Sequence, residues 1–263
     1  MMSLINALPG AVAQGLIWGI MAIGVYLTFR ILDIADLTVD GSLGTGGAVC
    51  IMLMLSGQNV WVAMAGATAA GMAAGLATGI LHTFMGIPAI LAGILTQLGL
   101  YSINLKTMGK ANQAINVDKY DLLVSLRFIR KVPFYKNTIL IVAIAIILLI
   151  VVLYWFFGTE LGCSLRATGC NDKMARAQGI NTDFNRVLGL MISNGLVALS
   201  GAMLCQYQGF ADINMGRGAI VIGLAAVIIG EAIFGKVFRN FGFKLLAVAL
   251  GSIIYYLVLQ VVI

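Results

Sequence analysis

The chain consists of long apolar stretches separated by polar ones, and eight of the apolar stretches predict helices. They occupy residues 9–29, 44–55, 60–84, 88–104, 138–157, 187–206, 219–234 and 243–263. Most have about the 20 residues that a membrane-spanning helix needs. Stretches 44–55 and 219–234 are shorter, and each follows a polar segment that contains glycine. That pattern predicts broken or re-entrant helices buried inside the protein.

The composition places these helices in a membrane. The chain has 61% hydrophobic residues, 10% charged residues and a mean hydropathy of +1.02, whereas roughly a quarter of the residues of a soluble globular protein are charged. We therefore predict an all-α membrane protein of about eight transmembrane helices, folded as a single domain over residues 1–263. Four cysteines without a CxxC pair, and a single histidine, predict packing positions and no metal site.

The basic residues lie mainly in the loops, where lipid headgroups explain the net charge of +6 more simply than nucleic acid does. Loop 106–137 contains Lys106, Lys110, Lys119, Arg127, Arg130, Lys131 and Lys136. Loops 158–186 and 235–244 contain Arg166, Lys173, Arg176, Arg186, Lys236, Arg239 and Lys244. If every stretch crosses the membrane, these two equal sets lie on opposite sides. The positive-inside count is then tied and does not orient the chain.

Three glycines in the third stretch share one helical face. Gly71, Gly75 and Gly79 are spaced by four residues, which exposes bare backbone and allows another helix to approach closely. Packing within the chain and a contact between two copies are both compatible with this pattern.

The polar segment 158–186 predicts a short helix of about two turns. Asn171 is a good N-cap, the negative charge of Asp172 suits a helix N-terminus, and Gly179 is a natural left-handed stop. Thr182 and Asp183 are predicted to cap the next membrane helix.

The predicted short helix offers a surface for a partner. Lys173 and Arg176 supply charge, and Met174 is a pliable apolar side chain suited to a groove on a soluble protein. The alternative is an ordinary solvated loop.

Three segments resemble one family of membrane proteins. Residues 165–181 (LRATGCNDKMARAQGIN) resemble the cytoplasmic coupling segment of permeases in the family that includes branched-chain amino acid and ribose importers. Residues 17–49 resemble the first conserved helix of that family and the acidic, glycine-rich turn after it. Residues 223–235 (GLAAVIIGEAIFG) are similar to a third family stretch, with Glu231 where glycine is more usual.

The resemblance implies the inverted-repeat permease subunit of an ATP-binding cassette importer in the bacterial plasma membrane. The family's coupling segment engages the ATPase, which here implies contacts from Arg166, Asn171, Lys173, Met174, Arg176 and Gly179. ATP and magnesium would bind to that partner, with no cofactor in this chain. A solute-binding protein outside the membrane and a second copy of the chain are the other expected partners. The implied solute is small and polar, an amino acid, and the most similar branch of the family favours an aromatic one.

The resemblance also implies an orientation. If 158–186 is cytoplasmic, then 30–40, 84–88 and 235–244 are cytoplasmic too, and the N-terminus lies outside. The family normally has a further helix after the stretch that matches residues 243–263, so we expect a C-terminal helix beyond this sequence.

An internal echo fits an inverted repeat. Residues 35–39 (ADLTV) followed by Gly41 are similar to residues 211–215 (ADINM) followed by Gly216, and each copy lies between a long stretch and a short one. In the orientation above, the two copies enter the membrane from opposite sides, with the solute pathway between the halves. Chance similarity in so biased a composition is the alternative.

Polar residues in or near apolar stretches are candidates for the pathway, because charge in hydrocarbon is costly. They are Asp36, Thr38, Asp40, Gln97, Asn104, Asn194, Gln206, Asp212, Asn214 and Glu231, with Arg217 as a further ionisable group. Capping of the following helix is the other interpretation for Asp36 and Asp40, and a salt bridge to Lys236 or Arg239 is the other one for Glu231. The neutral residues could instead form hydrogen bonds between helices.

Three other functions compete with an amino acid importer as interpretations of the sequence. The chain has no GxxxxGK[ST] phosphate loop, so an importer needs a separate ATPase. An ion-gradient-driven secondary transporter would use Asp36, Asp212 and Glu231 as proton or cation sites, but has no need of the capped helix in 158–186. A sugar or nucleoside permease of the same family is a second alternative. An intramembrane protease would need paired aspartates or a Ser/His site at depth, and no convincing set is present.

Overall fold

The computed structural model describes residues 2–115, 120, 122–125, 137–238 and 240–262. Over these residues the regular structure comprises ten helices, a π-helical turn and a two-stranded sheet. The first five helices are α1 (Met2–Tyr26, continued by the π-helical turn Leu27–Ile31), α2 (Thr38–Leu55), α3 (Val60–Thr83), α4 (Ala89–Met108) and α5 (Thr138–Gly158). The others are α6 (Glu160–Cys170), α7 (Asp172–Ala177), α8 (Thr182–Gln208), α9 (Ala219–Phe234) and α10 (Phe241–Val262). The strands are β1 (Asn112–Ala114) and β2 (Phe210–Asp212).

The membrane prediction is confirmed. Over the described residues, seven helices are long and apolar enough to cross a membrane, namely α1 with its π-helical turn, α2, α3, α4, α5, α8 and α10. Helix α9, with 16 residues, is a shorter apolar helix, as predicted. Helix α6 and the small sheet were not predicted.

Helix α8 lies at the centre of the molecule, and α3 packs closely along it. A Cβ atom at Gly75 would overlap the Leu190 carbonyl of α8, and one at Gly71 would overlap Asn194 and Ala198. Gly79 lies against Val187 in the same way. The three glycines of α3 therefore pack within the chain, where bare backbone allows the two helices to touch.

The caps of α8 differ from the prediction. Asn181 is its N-cap and accepts a hydrogen bond from the backbone N–H of Phe184 at 3.1 Å. Thr182 and Asp183, which were expected to cap this helix, lie inside its first turn. Asparagine is preferred over threonine at the N-cap position, which favours Asn181 as the cap.

Helix α2 begins earlier than predicted but deep inside the protein. It starts at Thr38 and has 18 residues, whereas the apolar stretch predicted a start at residue 44. The glycines of α2 remain helical because neighbours fill the space beside them, as where Gly46 lies against Ala198. The preceding segment 32–37 brings Asp36 to Asn194, twelve residues after the start of α8 at Thr182 and so about 18 Å along its axis. The approach to α2 is therefore re-entrant.

Helix α9 starts where α2 starts, and the two run in opposite directions. Gly216 lies against the Asp40 carbonyl in the first turn of α2. At its other end, α9 places Glu231 beside Arg30 at the end of α1. Helix α2 runs the other way, parallel to α8, and brings Cys50 to Gln206. The N-termini of two interrupted helices thus meet inside the protein.

The loops divide between two faces as the sequence predicts. Arg30, Arg166 and Lys244 line one cavity, so residues 30–31 lie on the same face as segments 158–186 and 235–244. At the other end of α8, β1 pairs antiparallel with β2, with Gln113 opposite Ala211. Six of the basic residues in the charge count lie outside the described residues: Lys119, Arg127, Arg130, Lys131, Lys136 and Arg239.

Candidate functional site

A cavity of about 280 Å³ lies where the N-termini of α2 and α9 meet the side of α4. It is lined by Asp40, Gly41, Gln97, Leu98, Tyr101, Asn104, Ile213 and Arg217. Three of the predicted pathway residues, Asp40, Gln97 and Asn104, come together here, with Arg217. We refer to this space as the junction cavity.

Helix α4 supplies the polar wall of the junction cavity. Gln97, Tyr101 and Asn104 are spaced by four and three residues and so occupy one face of the helix. Gly41 allows α2 to approach this wall, since a Cβ atom there would lie 2.9 Å from Leu100 Cδ1. Tyr101 was missed from the sequence, although its helical spacing from the two predicted amides would have identified it.

Asp40 caps α9 rather than the helix that contains it. Its Oδ2 accepts a hydrogen bond from the Gly218 N–H at 3.0 Å, and its Oδ1 accepts one from the Ile220 N–H at 2.9 Å. The expectation that Asp40 caps the following helix, α2, is wrong because Asp40 lies inside the first turn of α2. Its charge instead stabilises the positive N-terminal end of α9.

Arg217 supplies a cation to the junction cavity. Its guanidinium lies 5.9 Å from the centre of the Tyr101 ring, within the range of a cation–π contact. Over the described residues, no carboxylate lies within salt-bridge distance of Arg217. The cavity therefore combines a guanidinium, a carboxylate, two amides and an aromatic ring, and so can contact both charges of a zwitterion.

Asp36 and Asn194 form a buried network outside the junction cavity. Asn194 donates to Asp36 Oδ2 at 2.6 Å and accepts a hydrogen bond from Ser42 at 2.6 Å. Asp36 Oδ1 accepts the N–H of Thr38, the first residue of α2, at 2.9 Å, although the N-cap position of that helix is Leu37.

Thr38 also connects three helices. Its hydroxyl lies 2.7 Å from that of Thr78, which donates to Thr96 at 2.9 Å. These hydroxyls join α2, α3 and α4. Like Asp36 and Asn194, Thr38 holds helices together and does not line the cavity.

Asp212 and Asn214 lie at the entrance to α9 and repeat the geometry at Asp36. Asp212 Oδ1 accepts the Asn214 N–H at 2.7 Å, the same two-residue turn that Asp36 makes with Thr38. The two echoed segments therefore share this turn, although residues 210–212 form a strand and α9 starts only at Ala219, whereas α2 starts directly at Thr38. Gln206 lies elsewhere, in contact with the Leu123 N–H and with Cys50.

Glu231 pairs with a different cation from the one expected. Its Oε1 accepts a hydrogen bond from Arg30 Nε at 3.1 Å. The predicted partner Lys236 forms no described salt bridge with Glu231, and Arg239 lies outside the described residues. Residues 235–237 form a turn that directs the chain after α9 away from Glu231. Arg30, at the end of α1, lies beside Glu231 instead.

The segment 158–186 forms two helices, α6 and α7. Asn171 caps α7 by accepting the Met174 N–H at 3.1 Å, and Gly179 has a left-handed φ of 81°, both as predicted. Met174 is 62% exposed, and Lys173 is exposed beside it. These two side chains are among the exposed residues of α7.

Arg166 and Arg176, the two arginines predicted to contact the ATPase, have contacts within the chain. Arg176 donates to Asp183 at 2.8 Å and to Thr182 at 2.7 Å, which fixes α7 to the start of α8. Arg166 is half-buried, and its guanidinium lies 4.3 Å from the centre of the Phe241 ring. The structure thus directs Arg166 toward α10 and away from the exposed surface of α7.

Comparisons with known proteins show what this chain is similar to. The model of the family described as "Branched-chain amino acid transport system / permease component" matches residues 8–263. The chain is 38% identical, over 95% of its length and 81% of the relative, to the tyrosine transport system permease protein of Clostridioides difficile (strain R20291). It is 30% identical, over 80% of its length and 58% of the relative, to the autoinducer 2 import system permease protein LsrC of Yersinia pestis (strain Pestoides F). Among solved structures, a chain of PsaBC from Streptococcus pneumoniae in complex with Fab superposes with a TM-score of 0.47 at 17% identity, over 98% of this chain and 95% of that one.

Proposed function

We propose, since the chain belongs to the family of branched-chain amino acid transport system permease components, that it is the membrane subunit of an ATP-binding cassette importer for an amino acid. It is a multi-pass protein of the bacterial inner membrane. The observation that carries the proposal is the similarity to a tyrosine transport permease over 95% of the chain.

The junction cavity supports an amino acid as the solute. Arg217 offers a cation for a carboxylate, while the amides of Gln97 and Asn104 offer donors and acceptors. The ring of Tyr101 offers a flat surface for an aromatic side chain. The meeting of two interrupted helices beside these groups is the arrangement that transporters use around a solute at mid-membrane.

The partners follow from the same proposal. A cytoplasmic ATPase binds ATP and magnesium, and it contacts the exposed Lys173 and Met174 of α7. A solute-binding protein delivers the amino acid to the opposite face. Two copies of the chain form the pathway, because Tyr101 and Leu98 of the cavity wall are 40% and 64% exposed at the surface of one copy. Mass spectrometry of the intact complex should find two permease chains with two ATPases, and a single permease with one ATPase would contradict this stoichiometry.

The transport experiment uses the permease reconstituted in liposomes with its ATPase and solute-binding protein. We expect uptake of labelled tyrosine to require ATP and to persist when a protonophore collapses the proton gradient. Uptake without ATP that the protonophore abolishes would support a gradient-driven carrier and contradict the proposal. ATP-dependent uptake of ribose or a nucleoside in place of amino acids would keep the importer and change its solute.

A pair of tyrosine variants tests the cavity. Tyr101→Leu should lower tyrosine uptake about fivefold to tenfold, the effect of losing an aromatic contact of about 1–1.5 kcal/mol. Tyr154→Leu is the matched control, because Tyr154 is 57% exposed on α5 and does not line the junction cavity. Equal uptake by both variants would exclude Tyr101 from the pathway.

A further inference from the structure

A second cavity, of about 340 Å³, lies on the face of the protein that carries α6 and α7. Arg30 at the end of α1, Arg166 of α6 and Lys244 of α10 line it, with Tyr26 and Phe241. It is separate from the junction cavity, with which it shares no lining residue. We call it the basic cavity.

Arg166 is held in place by aromatic rings, and its Nε has no polar partner among the described residues. Its guanidinium lies 4.3 Å from the centre of the Phe241 ring and 5.4 Å from that of Phe157. Its Nε is buried and forms no hydrogen bond within the described part of the chain. A buried donor without an acceptor is costly, so the edge of this guanidinium is suited to an acceptor supplied by a ligand.

The charges around the basic cavity do not cancel. Glu231 pairs with Arg30 at 3.1 Å and offsets one of the three cations. Over the described residues, no carboxylate lies within salt-bridge distance of Arg166 or Lys244. Two positive charges therefore remain on the cavity wall.

We propose that the basic cavity binds a phosphate group, carried by an anionic phospholipid or by a small phosphate compound. Arginine matches phosphate geometry because its fork of N–H groups can bind two oxygens, and Lys244 adds a flexible point charge. Arg30 and Lys244 lie at the ends of membrane helices, and basic cavities between such helices bind phospholipid headgroups. The site joins α1, α6 and α10, so an occupant connects the membrane helices to the segment that carries α7.

The experiment has one arm for each source of the phosphate. In the first, the purified permease is exchanged into nanodiscs of phosphatidylglycerol or phosphatidylcholine, and native mass spectrometry counts the lipids that remain bound on release. In the second, inorganic phosphate is added to the permease in a neutral detergent, and the unfolding temperature is measured. Binding to the folded state raises that temperature.

Three single variants decide the outcome. Arg166→Gln and Lys244→Gln should each lower retention of phosphatidylglycerol, or the phosphate-dependent rise in unfolding temperature, by at least half. Lys236→Gln is the control, because Lys236 is exposed after α9 and does not line the basic cavity. Since Lys244 is exposed, Lys244→Gln keeps the test valid even if Arg166→Gln unfolds.

Each result has one meaning. Selective retention of phosphatidylglycerol identifies a lipid headgroup as the ligand, and a response to inorganic phosphate alone identifies a small phosphate compound. No response in either arm, or equal losses in all three variants, would overturn the site. These readouts require no transport, so the proposed importer function and the basic cavity can fail independently.

Discussion

At the scale of single residues, the re-entrant segment before α2 depends on a carboxylate that has no cation to neutralise it among the described salt bridges. Asp36 is 2% exposed, and both of its oxygens accept hydrogen bonds, from Thr38 and from Asn194. Asn194 cannot turn its amide over, because its NH₂ group also donates to the Leu190 carbonyl at 3.0 Å, and a carbonyl oxygen can only accept. The geometry therefore requires two acceptors at position 36.

Asp36→Asn should destabilise the protein by about 1–3 kcal/mol. An asparagine amide supplies one acceptor and one donor, so its NH₂ group would face either the N–H of Thr38 or the NH₂ of Asn194. Thermal unfolding in detergent measures the change. Asp33→Asn is the control, because Asp33 is exposed and its left-handed φ of 55° suits asparagine. Equal unfolding temperatures for the two variants would show that the network does not need a carboxylate.

The stop after α7 depends on one glycine. Gly179→Val should cost on the order of 1–2 kcal/mol locally, since φ is 81° there and a β-branched residue disfavours that conformation. We expect ATPase stimulation by the reconstituted permease to fall while the membrane helices stay folded. Gly158→Val is the control, because Gly158 ends α5 with open space around its Cα and an ordinary φ. Full stimulation by Gly179→Val would remove the support for α7 as the docking helix.

At the scale of helices, the contact between α3 and α8 is made by backbone. The glycines of α3 lie against Leu190, Asn194 and Ala198, and α8 is the helix that also holds Asp36 and Ser42. This contact therefore sets the depth at which α2 begins. The same pattern of small residues in the sequence was also compatible with a contact between copies, because spacing defines a face of the helix but not what packs against it.

Gly75→Ala tests this contact. A methyl group would overlap the Leu190 carbonyl, so we expect a loss of about 1–3 kcal/mol, as for other overpacked cores. Gly99→Ala in α4 should be neutral or should gain up to about 1 kcal/mol, because no atom lies within contact of its side and alanine favours helix. Thermal unfolding of both variants in one detergent gives the comparison. A stable Gly75→Ala protein would mean that α3 can move away from α8 at little cost.

At the scale of the whole molecule, two faces are distinguished by which loops come together. The basic cavity brings Arg30 and Ile31 together with segments 158–186 and 235–244, while β1 and β2 pair at the other end. Which face lies inside the cell is a prediction of the importer function, because the ATPase is cytoplasmic.

Cysteine labelling tests that orientation. In a protein whose four cysteines are replaced, Lys173→Cys should be protected from a membrane-impermeant thiol reagent in intact cells, and Asn112→Cys should react. Both positions are exposed, in α7 and β1, so access to the reagent depends on the side of the membrane. Labelling after permeabilisation is the control for reactivity. Reaction at position 173 with protection at 112 would place α7 beyond the reach of an ATPase and favour the gradient-driven carrier.

The sequence by itself determined the membrane class, the eight apolar helices and the cap and stop of α7. These features depend on composition and on residues close together in the chain, such as Asn171 with Met174, so local pattern is enough. It also identified Asp40, Gln97 and Asn104 as residues with a structural or functional role, because burying charged and amide groups in apolar stretches is costly.

Only the tertiary structure decided what those residues contact. Asp40 caps α9 across 180 residues of sequence, and Glu231 meets Arg30 across 201. The helical start of α2 through its glycines, the turn of Arg166 toward Phe241 and the pairing of β1 with β2 have the same origin. Each depends on which surfaces are brought together when the helices pack, and a single sequence carries no record of such distant contacts. Local spacing defines the faces of the helices, while packing decides which faces meet.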